Sequence, residues 1–337
     1  MRHRDVAFGV LLVLAVLAVG NAAIAEQTRG RAAQSATPWT APRTPWGHPD
    51  LQGLWSNATT TPLERPDELK DKAVLSDQEF EQAASAVATR RNTDQAPRAG
   101  DPGTYNEFWW ERGNLLKQTA LIIDPPDGKV SPLTPEGQKR AQAFAQSRRG
   151  RGPSDSWEDR NLHERCILYH GVPPLPTGYN NNYQIAQTPD LVAIRSEMLN
   201  ETRLIPLDGR PHLRPGVRQW MGDPRGRWEG NTLLVESTNF TDAAGGLYEL
   251  GSVTNLMGTG STIKIVERFT RTARDTIDYR FTVEDPSMFT KPWTGSIPMT
   301  TFEGRIYEYA CHEGNYAMEG MLRGARVEEA AEAAKKK

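Results

Sequence analysis

From Arg225 to Tyr316 the chain runs in short segments of alternating apolar and polar residues separated by tight turns. That period of two leaves little besides an antiparallel sheet as its fold. Arg227-Trp228 and Thr232 to Ser237 flank Glu229-Gly-Asn231, a hairpin signal. Ile263 to Arg271 and Thr276 to Glu284 pair across the turn Thr272 to Asp275, and Trp293 to Thr300 and Arg305 to Ala310 supply further strands. Upstream, Tyr183 to Gln187, Leu191 to Ile194 and Thr202 to Leu207 continue the pattern, the last ending at the turn Asp208-Gly209. The expected fold is mainly β: an antiparallel barrel or sandwich, the calycin-like kind included, braced by two or three helices from the N-terminal half.

Those helices have recognisable ends. Ser76 and Glu79 form a capping box, and Phe80, Ala83, Ala84 and Val87 share a face of the helix that follows, running to Asn92 with Arg90 and Arg91 at its C-terminal end. Pro135 after Thr134 opens a second helix to about Ser147. Ser156 and Asp159 open a third, expected to run to His170 and to stop at Gly171. Asn92 to Gly103 is a polar loop.

The first 25 residues have the form of a Sec-type signal peptide cleaved after Ala25: basic Arg2, His3 and Arg4, the apolar run Val6 to Gly20, and Ala23-Ile-Ala25. A membrane span needs about 20 apolar residues, more than this run offers, so an uncleaved anchor is the lesser alternative. The leader lacks an Arg-Arg pair and no cysteine follows the cleavage site, which points to neither twin-arginine export nor a lipid anchor. The organisation expected is leader 1–25, flexible arm 26–43, strap and helical brace 44–155, β domain 156–325 and solvated tail 326–337. No stable membrane span is expected after cleavage, so the mature protein is expected in the periplasm or outside the cell. A formal net charge of -2 carries no footprint for nucleic acid, and a hydrophobic content of 37% implies a modest core with much loop.

Prolines and glycines forbid a long element in Thr44-Pro-Trp-Gly-His-Pro-Asp-Leu-Gln-Gly-Leu-Trp55, so its aromatics suggest an extended strap. This segment resembles the opening of a large, uncharacterised family of secreted bacterial proteins. The resemblance continues through Gly226 to Glu236, Val266-Glu-Arg-Phe269, Glu284-Asp-Pro286, Lys291-Pro-Trp-Thr294 and Tyr307-Glu-Tyr-Ala-Cys-His-Glu-Gly-Asn315. It implies secretion and one domain, and it carries no activity.

Cys166 and Cys311 are the only cysteines. In an oxidising compartment a disulfide between them is the leading reading, and closing so long a loop is worth about 4–5 kcal/mol in the chain-entropy model. Two other readings stay open: free thiols, or a soft-metal set of His163, Cys166, His170, Cys311 and His312 for zinc or copper, since 163, 166 and 170 would line one helix face. A disulfide would also draw His170 toward His312.

Strand parity singles out Glu267. Residues 263, 265, 267 and 269 share a face reading Ile, Ile, Glu, Phe, so one carboxylate points into an apolar interior. Either it works there as an acid or base with His170 and His312, or it pairs with a buried arginine such as Arg227 or Arg195 and braces the barrel. Arg225 and Arg227, beside the turn-prone Asp223-Pro224, could dock an anion or simply brace that turn, and Tyr279 and Tyr309 are candidate ligand contacts. Trp109-Trp110 could stack a ring or pack in the core; Gly178 and Asn180 to Tyr183 form a polar loop; His48 and His212 carry no assigned role. No nucleophile elbow, phosphate loop, dinucleotide fingerprint or His-Glu-x-x-His motif occurs, so no cofactor is expected. The expectation is an exported protein holding a small, partly apolar ligand in a barrel pocket. The alternatives are acid/base catalysis (hydration, isomerisation or hydrolysis) in that pocket, and a metal-binding or envelope interaction protein.

Overall fold

Alternation alone sorts the strands of the computed structural model, which describes residues 39–91, 94, 106–147, 149–242 and 261–336. The leader 1–25, residues 26–38 of the arm and the loop 92–103 apart from Asp94 lie outside those residues. The elements belong to the unit Ala41–Lys337. In β8 (Lys264–Ala273), Ile265, Glu267 and Phe269 are buried, and in β9 (Thr276–Glu284) Ile277, Tyr279, Phe281 and Val283 are. β10 (Trp293–Thr301) adds Trp293, Ile297 and Met299. Its fourth inward position is Gly295, where a Cβ would stand 2.3 Å from the Phe281 ring.

Ten antiparallel strands curl into a nearly closed barrel, as the pattern predicts. The others are β1 (Gly53–Ser56), β2 (Ile122–Asp124), β3 (Asn182–Gln187), β4 (Leu191–Ser196), β5 (Thr202–Pro206), β6 (Asp223–Glu229) and β7 (Thr232–Thr238). Their order is β5-β4-β3-β1-β10-β9-β8-β7-β6, with β2 also paired to β10. The proline-rich strap enters the sheet: its end is β1, seated between β3 and β10, with Trp55 buried. The barrel closes between β5 and β6 without a ladder. Gly226 of β6 is overlaid by Ile205 and Leu207, and a Cβ there would meet them at 2.8 and 2.6 Å. Side-chain packing at this seam therefore replaces backbone hydrogen bonds.

Among the described residues two helices come from the N-terminal half, α1 (Asp77–Arg91) and α2 (Pro135–Ser147). The capping box of α1 is present: Glu79 accepts from the Ser76 amide at 2.9 Å, and the Glu79 amide reaches Ser76 Oγ at 3.4 Å. In α2 the Gly137 amide donates to Thr134 Oγ1. The third expected helix does not form. Ser156 and Asp159 do make a capping box, but only a single 3₁₀ turn, Trp157–Asp159, follows, and Arg160 is already extended. Downstream, Cys166 takes the left-handed φ of 55°, and the Tyr169 and Gly171 amides donate to Glu201 instead of to helical carbonyls. Tertiary partners thus override local helical preference.

Arg305 to Ala310 is likewise no strand: the Tyr307 amide goes to Glu197 and the Tyr309 carbonyl accepts from Asn200. The C-terminal helix α3 (Tyr316–Lys335) begins well before the expected tail, capped by Asn315 Oδ1 on the Met318 amide. Among the described residues no helix is long and apolar enough to cross a membrane.

Candidate functional site

Glu267 points inward and is fully buried, as its parity requires. Its partner is neither Arg227 nor Arg195 but Arg203, inward on β5. Arg203 grips the carboxylate with both terminal nitrogens, Nη1 to Oε1 at 2.9 Å and Nη2 to Oε2. Nη2 also donates to Ser237 Oγ at 3.2 Å, and the Tyr279 hydroxyl donates to Glu267 Oε1 at 3.0 Å. Burial, with Glu267 beside it, pushes the Tyr279 phenol well above its usual range, so it stays a neutral donor. Glu267 and Tyr279 are thus committed to a closed network across the barrel.

The other side of Arg203 is differently furnished. Glu201, the residue just before β5, is buried and accepts from the Tyr169 amide at 2.6 Å and the Gly171 amide at 3.3 Å. Burial outweighs those donors and the nearby Arg203 charge, and raises its carboxyl to about 7. His170, also buried, is held neutral: desolvation lowers it to about 4. Its Nε2 lies 3.2 Å from the Asn180 carbonyl, and its Nδ1 lies 3.1 Å from the Leu175 carbonyl and 3.0 Å from the Tyr183 hydroxyl. A neutral ring carries one N–H, so it donates to only one of the two carbonyls.

Between these groups lies a cavity of about 20 Å³, lined by His170, Tyr183, Ser196, Glu201, Arg203 and Met221 among others. That is room for one water-sized group. Two buried atoms on its wall residues find no partner, Ser196 Oγ and Arg203 Nε. Burial, with Glu201 nearby, pushes the Tyr183 phenol well above its usual range; the Ser196 hydroxyl lies near enough to oppose this slightly, yet the two do not reach hydrogen-bonding geometry.

Outside the seam is a cleft of about 670 Å³. Arg203 and Met221 line it as well, so they form the partition between cleft and inner cavity. Its walls include Leu204, Leu213 and Trp220, which are 57%, 41% and 38% exposed. Arg225 lines it too but is tied to Asp223 and to the Pro211 carbonyl. Asp223 in turn accepts from the Leu213 amide and meets His212 at 3.1 Å. His212 also lies 3.3 Å from Glu236, so it braces the cleft's outer loop.

The other sequence candidates are dispersed. Arg227 is exposed and pairs with Glu229. Cys166 and Cys311 form a disulfide with Cα atoms 5.8 Å apart. It ties the 161–170 coil to the segment before α3 but does not join the two histidines: His170 is buried and His312 exposed, with no hydrogen bond between them. His163 instead meets the Tyr309 hydroxyl at 3.1 Å, which places Tyr309 at this brace rather than at the cleft. With both sulfurs bonded to each other, the soft-metal set loses its thiolates. Among the described residues no three His, Cys, Asp or Glu side chains converge as metal ligands. Trp109 is exposed, while Trp110 packs against Gly178 and under Arg112. The Asn180 to Asn182 loop is a brace, with Asn181 Oδ1 on the Thr177 amide and Asn182 Nδ2 on Glu197.

Sequence reasoning missed Arg203, Glu201 and Ser196. The parity that exposed Glu267 would have found Arg203, since Arg203 and Ile205 share the inward face of β5 and leave Leu204 outside. No family model, curated protein or solved structure matches the chain.

Proposed function

We propose that this is an exported binding protein whose small, partly apolar ligand sits in the seam cleft between β5 and β6. The observation that carries the reading is the cluster of exposed apolar side chains, Leu204, Leu213 and Trp220, around a concave surface with a buried arginine at its floor. Apolar walls with a few convergent polar groups are the usual form of small-molecule sites. The barrel interior, by contrast, is occupied by Trp55, Tyr183, Phe269, Tyr279, Phe281 and Trp293, which moves the pocket from the barrel's inside to its seam. Export is supported by the leader-like first 25 residues and by the disulfide, which persists in oxidising compartments. The resemblance to secreted bacterial proteins agrees with it.

A metabolite library screened by thermal shift tests the reading, because a ligand that binds the native state raises its stability. A hit is expected to lose at least about ten-fold in affinity in Trp220→Ala, the loss of one well-packed aromatic contact, and nothing in Trp109→Ala. A hit equally tight in both variants would place the site elsewhere. Acid/base catalysis at the same place is the second reading. It rests on Glu201, whose carboxyl titrates near 7 directly behind the cleft. Glu267, clamped by Arg203, and the exposed His312 drop out of that role.

A further inference from the structure

The inner cavity has features that packing alone does not explain. It is too small for anything beyond one or two heavy atoms, yet polar residues from four separate elements meet there: His170 on the coil, Ser196 on β4, Glu201 on the turn and Arg203 on β5. Ser196 is 4% exposed and Arg203 7%, and each has one polar atom without a partner, an Oγ and an Nε–H. A buried polar group left unsatisfied costs about 1–3 kcal/mol. Two such atoms, both on residues that line one cavity, point to a place for an oxygen that accepts from the guanidinium and exchanges a hydrogen bond with the hydroxyl. Glu201 on the same wall can complete the coordination of a hydroxyl by accepting from it when ionised, or of a carbonyl by donating to it when protonated.

The partition to the cleft is slight. Arg203 and Met221 line both spaces, and Arg203 is fixed by Glu267 while Met221 is an unbranched side chain with several rotatable bonds. We propose that the cavity is a one-oxygen subsite of the seam cleft, filled by a water in the free protein and by the hydroxyl or carbonyl oxygen of the bound ligand, with Met221 as the door. The ligand class follows: an uncharged alcohol, aldehyde or ketone whose apolar body lies against Leu213 and Trp220 and whose oxygen enters between Arg203 and Ser196. A carboxylate is disfavoured, because it would stand against Glu201 on the cavity wall while the charge of Arg203 is already met by Glu267. This inference rests on the cleft being the binding site.

Calorimetric titration of the full chain with phenylpropanol, benzylacetone and propylbenzene separates the two claims. These probes share one apolar body and differ in the oxygen. Both oxygenated probes are expected to bind more tightly than propylbenzene. Ser196→Ala is expected to weaken them by about three- to ten-fold, the worth of one hydrogen bond, while leaving propylbenzene unchanged. Met221→Trp, which closes the door without touching the polar wall, is expected to bring all three to the affinity of propylbenzene. Thermal melts of both variants would verify folding. Equal affinities for all three probes, unmoved by Ser196→Ala, would overturn the subsite and leave the cleft standing. Binding unaffected by Met221→Trp but lost in Trp220→Ala would do the same. If none of the three binds at millimolar concentration, the cleft reading falls and the subsite with it.

Discussion

Arg203 has two neighbourhoods, and they are built on opposite plans. Toward β8 and β9 its terminal nitrogens meet Glu267 and Ser237, and Tyr279 completes the carboxylate's shell. Toward the coil Arg203 lines a cavity together with Ser196, Glu201 and neutral His170, and its Nε is left without a partner. A closed network in a low-dielectric interior rigidifies, whereas a partly satisfied one is costly unless something else completes it. The same arginine therefore separates the brace of this barrel from the side proposed to respond to a ligand.

The sharpest way to break that contrast is to remove the carboxylate from each side. Glu267→Ala leaves a buried guanidinium without its counter-charge and is expected to cost about 3–5 kcal/mol. Pairing it with Arg203→Met should recover most of the loss, since a buried ion pair and a well-packed apolar pair are of similar worth. Glu201→Gln, measured near pH 6 where Glu201 is already protonated, is an isosteric change expected to cost no more than about 1 kcal/mol. Urea titrations of the four proteins decide it. Comparable losses in Glu267→Ala and Glu201→Gln would mean that the two sides are not different in kind.

The disulfide belongs to the responsive side alone, because Cys166 lies in the coil whose later amides Glu201 holds. Replacing both cysteines with serine is expected to cost about 2–4 kcal/mol. Hydrogen exchange should rise at Tyr169 and Gly171 while the β8–β9 ladder keeps its protection. Uniform loss across both regions would show that the two are one cooperative unit.

How far the sequence could reach follows the same division. The β8–β10 wall was legible because alternation is a local signal: each of these strands declares its own inward face, and Glu267 stood out against Ile265 and Phe269. The responsive side is built from residues whose roles come from partners far along the chain. Nothing local in Ser156 to His170 announces that Glu201 will take its amides, so the capping box at Ser156 and Asp159 pointed to a helix that tertiary contacts prevent. Arg305 to Ala310 failed for the same reason, its backbone groups being claimed by Glu197 and Asn200. Arg203 lay in between, since its inward parity was readable but its pairing with Glu267, 64 positions away, was not.

Titration sharpens the comparison within the responsive side. Glu201 rises from the ordinary 4.5 to about 7 on folding, so the folded state holds its proton more tightly. That stability, about 3 kcal/mol for a shift of this size, is fully present below about 4.5 and is lost as pH rises toward 7. His170 falls from 6.5 to about 4, so its contribution, again about 3 kcal/mol, is present above 6.5 and is lost as pH falls toward 4. Between about 4.5 and 6.5 the two slopes oppose each other, and the wild type is expected to be nearly flat there. Glu201→Gln should leave a stability that rises with pH across this window, and His170→Gln one that falls. Parallel profiles in all three proteins would show that neither group is perturbed as its burial requires.

The smallest effect discriminates most finely, because two serines flank one arginine. Ser237 Oγ accepts from Arg203 Nη2 at 3.2 Å and has no access to solvent. Ser237→Ala strips a buried charged donor of that acceptor, which costs about 1–3 kcal/mol. Ser196 Oγ has no protein partner, so Ser196→Ala removes only a bond to whatever oxygen occupies the cavity. A water there keeps its contacts with Arg203 and Glu201, and the expected cost is at most about 1 kcal/mol. Equilibrium unfolding of the two variants, with phenylpropanol absent and then saturating, gives the test. Without the probe Ser237→Ala should be the less stable. With it, the stabilisation by ligand should shrink in Ser196→Ala and stay intact in Ser237→Ala. The opposite order in either condition would place the exchangeable contact on the brace and reverse the assignment of the two sides.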